Sequence, residues 1–167
     1  YSKTMLNAAP YTIKLLSAEI GDADSMTYSI AVVPDMYPQV NVTEKRDSLN
    51  DRYFYYLGDC SDDYGIKKLT FNYQISRADI DSPALAKSVT VNIASGTASA
   101  FQYFWNMAEI GMQPGDKMAY YFEVWDNDGV VGNKSTRSQK MIFKAPTLNE
   151  LEDKTDKNNN KIKEDLQ

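Results

Sequence analysis

The chain has 167 residues, enough to bury a sizeable core in one ordinary domain, or in one domain with part of a neighbour. A formal charge of −5, a sequence pI near 4.8 and no local cluster of Lys and Arg exclude general attraction to a phosphate backbone, so nucleic acid is not an expected partner. Zero His and one cysteine, Cys60, exclude an internal disulfide, Ser-His-Asp and Cys-His catalysis, and His-based zinc or haem ligation within these residues.

Hydrophobic residues make up 43% of the chain and aromatic residues 12%, a balance that favours packed β structure over disorder. No run of eighteen apolar residues occurs, so no membrane span is expected in this chain. The start, YSKTMLNAAP, lacks the basic and then apolar layout of a signal peptide.

In chain order, YTIKLLSAE (11–19) and SMTYSIAVV (25–33) flank the turn IGDAD and predict a hairpin that stops at Pro34. The pair reads as a weaker copy of Tyr121 to Pro146, where a Tyr-led strand meets an acidic, Gly-containing turn and a second strand stops at Pro. Residues 1–33 are therefore read as the closing hairpin of a preceding similar domain. A lone hairpin is marginal in water, so it is expected to pack on the complete domain or on a second copy of the chain as a homodimer.

From about Pro38 to Ala145 apolar residues alternate with polar ones, the period of a half-buried strand. The predicted strands are 39–44, 52–57, 66–76, 86–94, 99–107, 117–126 and 134–144. In the third, Leu69, Phe71, Tyr73 and Ile75 share one face; in the sixth, Met118, Tyr120, Phe122 and Val124 oppose Tyr121, Glu123 and Trp125. Seven short strands without a helical period predict an all-β fold. The expected architecture is an immunoglobulin-like or fibronectin type III-like antiparallel β-sandwich over 34–146, with an extra N-terminal hairpin and a C-terminal helical tail.

Pro146 stops the last strand, and Thr147 to Glu150 has the form of a capping box, predicting a helix start. Leu148, Leu151, Thr155, Asn158 and Ile162 follow spacings of three and four, the opening of a coiled coil, whereas KNNNK resists helix formation and favours a frayed tail over 147–167.

The acids gather in GDCSDDYG (58–65), read as a loop that holds Cys60 as a small residue, and in DNDG (126–129). A sandwich places these two loops at one end, with Asp35 nearby, so Asp59, Asp62, Asp63, Asp126 and Asp128 converge on one rim. Such carboxylates repel unless solvated, protonated or neutralised by a cation, and an inter-loop calcium site would serve. The EF-hand spacing fails, because Ser135 stands where the bidentate Glu is required. The leading reading is turn chemistry, in which Asp and Asn accept from nearby amides; calcium comes second, and no catalytic residue is assigned.

Among the aromatics, Tyr103, Trp105, Tyr121 and Trp125 are the candidate platform for a sugar or peptide, weighed against the more common reading as core or cross-strand pairs. Asn41 in NVT and Asn133 in NKS are glycosylation sequons with meaning only in a secretory setting.

Two resemblances add to this reading. MQPGDKM before the sixth strand is similar to the turn leading into strand F of fibronectin type III domains, with Met118 where that family has Tyr. The set AVVPDMYP, LGDCSDDYGIKKLTFNYQI and MQPGDKMAYYFEVWDNDGVVGNKSTRSQKMIFKAPTLNELE resembles an uncharacterised family of large Bacteroidetes proteins. The family has membrane helices, immunoglobulin-like repeats and a long coiled-coil region. This resemblance, over most of 26–152, implies a periplasmic or cell-envelope location and a non-enzymatic structural or protein-interaction module, whose partners are another protein or neighbouring repeats. It brings no catalytic residues. The alternative expectation is a carbohydrate- or peptide-binding sandwich with a calcium site at its acidic end.

Overall fold

The structure, a computed structural model, describes residues 3–19, 21–47, 52–77 and 86–165. It divides into two compact units, Tyr1–Asp35 and Met36–Gln167. No helix among the described residues is long and apolar enough to cross a membrane.

The first unit is an antiparallel hairpin of β1 (Ala9–Ser17) and β2 (Gly21–Ile30). Tyr11 pairs with Tyr28 and Ile13 with Met26, so the period-two pattern puts these side chains on one face with Leu15 and Ile30. The Thr12 and Thr27 hydroxyls meet at 3.0 Å on the other face. The turn comes earlier than IGDAD predicts. Ser17 already pairs with Gly21, whose φ of 75° suits glycine, and Asp22 and Asp24 therefore lie on β2. Ile20 lies outside the described residues.

The second unit contains β3 (Gln39–Arg46), β4 (Tyr53–Ser61), β5 (Ile66–Ser76), β6 (Ala86–Val91), β7 (Ala98–Asn106), β8 (Lys117–Asp126), β9 (Ser135–Arg137) and β10 (Met141–Lys144). All strand pairs are antiparallel, in one sheet of order β3-β4-β7 and another of order β10-β8-β5-β6, with β9 also on β8. The predicted all-β class and its one-sided strands are borne out.

Strand boundaries move, most in three places, and the predicted strand 39–44 continues to Arg46. The predicted strand 134–144 is split into β9 and β10, because the Ser138 hydroxyl accepts from Phe122 N at 3.0 Å and takes the place of a ladder bond. The predicted strand 86–94 ends at Val91. The predicted strand 52–57 continues to Ser61, since β4 is paired on both sides, with β3 and β7.

Gly58, Asp59 and Cys60 are thus strand residues, not loop residues. Gly58 is required by packing: a Cβ there would come 2.5 Å from Phe101 Cζ and collide with the Asn41 carbonyl. Cys60 faces inward, is buried, and lies 3.5 Å from the Ser99 carbonyl; burial first, and then Asp59, pushes its thiol above the ordinary range. Consequently Ellman's reagent is expected to titrate Cys60 only in denaturant, and prompt reaction of the folded chain would contradict this placement.

The two sheets meet through a core that is largely aromatic. Phe54, Tyr56, Phe101 and Trp105 come from one sheet; Leu69, Phe71, Ile75, Met118, Tyr120, Phe122 and Val124 come from the other. Rings touch across the gap at 4.7 Å for Phe71–Trp105, 5.2 Å for Tyr56–Phe122 and 5.3 Å for Phe101–Phe122, within the range for favourable aromatic pairs. At the β3 side the core closes with a polar bond, Tyr120 Oη donating to Glu44 Oε2 at 2.5 Å, while Arg46 Nε donates to Glu44 Oε1 at 2.8 Å.

The tail forms α1 (Leu148–Asp165), opened by the reciprocal capping box: Thr147 N donates to Glu150 Oε2 at 2.8 Å and Glu150 N to Thr147 Oγ1 at 3.3 Å. The helix runs through KNNNK, against that segment's low propensity. Leu148 and Leu151 are exposed, and the side chains of Asn158 and Ile162 lie outside the described residues.

Candidate functional site

The acidic end is built where β4 turns into β5 and β8 turns toward β9. The two loops do meet. Asn127 N donates to the Gly65 carbonyl at 3.0 Å, and Lys67 Nζ to Asn133 Oδ1 at 2.7 Å. Asp35 belongs to the other unit, but Met36 joins this rim, its N–H 3.4 Å from Asp63 Oδ2.

Each acid is held mainly by its own neighbourhood. Asp62 Oδ2 accepts from Tyr64 N at 3.2 Å and Gly65 N at 2.8 Å; Asp128 Oδ1 accepts from Val130 N at 2.7 Å. These are side-chain turns of the kind Asp favours. Asp59 points sideways from β4 and accepts from Asn41 Nδ2 at 3.0 Å.

Asp126 differs from the rest. It is 1% exposed, and its Oδ1 accepts from Asp128 N at 3.2 Å and Lys134 N at 2.9 Å. Its Oδ2 makes no hydrogen bond, and faces the Lys134 ammonium at 4.0 Å. That ammonium also lies 3.4 Å from the Met36 carbonyl and 5.6 Å from the Tyr37 ring centre. An ammonium of the chain itself thus stands beside this buried carboxylate. Among the described residues no three of His, Cys, Asp and Glu are grouped so as to hold a metal ion. Adding a chelator is accordingly expected to leave the melting temperature unchanged; a fall of several degrees would contradict this geometry.

The four candidate platform aromatics are divided between opposite faces. Tyr103 and Trp105 point inward from β7: Trp105 is 7% exposed, and the Tyr103 ring lies tilted, 4.9 Å from that of Phe71. Tyr121 and Trp125 point outward from β8, one position out of phase with the core residues Phe122 and Val124. A single platform of all four is therefore corrected by strand parity. On the outer face Arg137 covers Tyr121 at 4.9 Å and Lys68 covers Trp125 at 4.6 Å, while Glu123 between them accepts from Ser135 and Arg137 at 2.9 and 3.1 Å. These rings already carry cations on the faces where a sugar would stack.

Sequence reasoning missed three residues. Lys134 and Glu44 act through partners brought from distant strands, which spacing cannot show. Asp116, 1% exposed, pins the turn before β8 by accepting from Gln113 N at 2.8 Å, with Arg77 3.7 Å away; only its place after Pro114 and Gly115 hinted at it.

No protein-family model matches the chain, and the curated proteins searched contain no match.

Proposed function

We propose that the chain is a non-enzymatic interaction and spacing module with an immunoglobulin-like sandwich, working in a cell-envelope protein. The strand order supports the sandwich type: β3-β4-β7 matches strands A, B and E, and β5, β8 and β10 match C, F and G, with β6 as an added strand beside C. The envelope setting rests on the family resemblance.

One observation carries the interaction role. The hairpin of β1 and β2 leaves Tyr11, Ile13, Leu15, Met26 and Tyr28 at 42–56% exposure on one continuous face. Two strands cannot bury such a face by themselves, and apolar surface of this kind marks a contact site. We read it as the closing hairpin of a neighbouring repeat, the counterpart of β8 with β9 and β10.

The test is sedimentation of the chain over a wide concentration range, with and without Ile13→Glu and Tyr28→Glu together. Concentration-dependent association is expected and should vanish in the variant, while the unfolding midpoint of the second unit stays put. A chain that remains monomeric at every concentration and binds no apolar dye would overturn the reading.

A further inference from the structure

The two sheets of the second unit differ in width. One ends at β6, whereas the facing sheet ends one strand earlier, at β7, which among the described residues pairs only with β4. β3 stands against β8, where Glu44 accepts from Tyr120, and β7 stands against β5, where Trp105 lies 4.7 Å from Phe71 and 5.3 Å from Tyr73. This leaves β6 overhanging.

The overhang has a measurable effect. Val89 pairs with the core residue Phe71 and so faces inward, yet it is 39% exposed; Val91, further along the same face, is 4% exposed. Between Lys87 of β6 and the end of β7 lies a groove of about 410 Å³ whose lining includes Tyr73, Lys87, Tyr103, Trp105, Asn106 and Glu109. That volume is within the usual range of roughly 300–1,000 Å³ for ligand sites.

The polar groups of this groove are mostly unspent. Among the described residues the Tyr73 and Tyr103 hydroxyls, the Trp105 indole N–H and the Lys87 ammonium make no hydrogen bond or ion pair. The one carboxylate, Glu109, is bonded to Asn106 Nδ2 at 3.0 Å. Donors and a single ammonium therefore face an aromatic wall, and beside them runs the far edge of β7, which no strand among the described residues pairs.

We propose that an extended acidic peptide segment of a partner protein adds to the open edge of β7. It brings that sheet to four strands and fills the groove under β6. Backbone bonds to β7 supply affinity, and alternate side chains enter the groove. An apolar residue covers Val89 and the Trp105 edge, and a carboxylate two positions along meets Lys87. This site is separate from the β1–β2 face and does not depend on it.

The probe is a fluorescein-labelled peptide, Thr-Val-Thr-Val-Thr-Glu-Thr-Val-Thr, titrated by anisotropy against the whole chain. A version with Lys in place of Glu should bind about tenfold more weakly, as charge complementarity requires. Lys87→Glu should reverse that order; Lys87 is exposed, so the fold is left intact, which the unfolding midpoint checks. Of two further probes N-methylated on alternate sets of amides, one should lose binding, because one set faces β7. Absence of binding, equal binding of the acidic and basic probes, indifference to Lys87→Glu, or binding by both methylated probes would each overturn the proposal.

Discussion

Phe71→Ala is expected to lower the unfolding free energy by about 3–5 kcal/mol, the cost of removing a large ring from a packed core. Phe71 is fully buried at the centre of β5, with ring contacts to Tyr56, Tyr103, Trp105, Tyr120 and Phe122. Three of those rings belong to the facing sheet, so the substitution opens a cavity between sheets instead of trimming one surface. With a total stability of roughly 5–15 kcal/mol for an ordinary domain, a fifth or more would be lost. Phe104→Ala is the internal control. Phe104 lies on β7 but points outward, 52% exposed against Tyr53 and Tyr55, and its loss should cost about 1 kcal/mol or less. Equal costs in urea unfolding would mean that the sheets do not stack as described.

Lys134→Met is expected to cost about 2–4 kcal/mol, because it leaves the Asp126 carboxylate buried without its cation. The estimate sits slightly below the usual cost of breaking a buried pair, since the separation is 4.0 Å and Asp126 keeps its two backbone donors. Replacing both partners separates charge from packing. Asp126→Asn with Lys134→Met should recover much of the loss, as the amide oxygen still accepts from Asp128 N and Lys134 N while the uncompensated charge is gone. A Lys134→Met chain as stable as the parent would show that this ammonium is not what balances the acidic end.

Much of this architecture was legible in the sequence, and the failures have physical causes. Alternation located the strands of the second unit, merging only β9 and β10, since Leu69, Phe71, Tyr73 and Ile75 can share a face only in an extended chain. It erred at ends, where pairing decides. Gly58 and Asp59 look like turn residues, yet β3 and β7 hold both in β4, and Gly58 is there because the Phe101 ring crosses it. In β7 the polar Gln102 already marked the outward face, so Phe101, Tyr103 and Trp105 could have been assigned inward. What no linear reading offers is the meeting of Lys134 with Asp126 or of Tyr120 with Glu44, because these depend on which strands become neighbours. The capping box succeeded because its partners are three residues apart.

The central claim is that the second unit carries a stable core of its own, which the two strands of the β1–β2 hairpin are too few to form. Residue-resolved amide hydrogen exchange of the chain at low concentration tests it most directly. The account predicts the slowest exchange in β4, β5 and β8, near the limit set by global unfolding, and exchange many times faster throughout β1 and β2. Hairpin amides as protected as those of β5, or rapid exchange in β5 and β8, would contradict it.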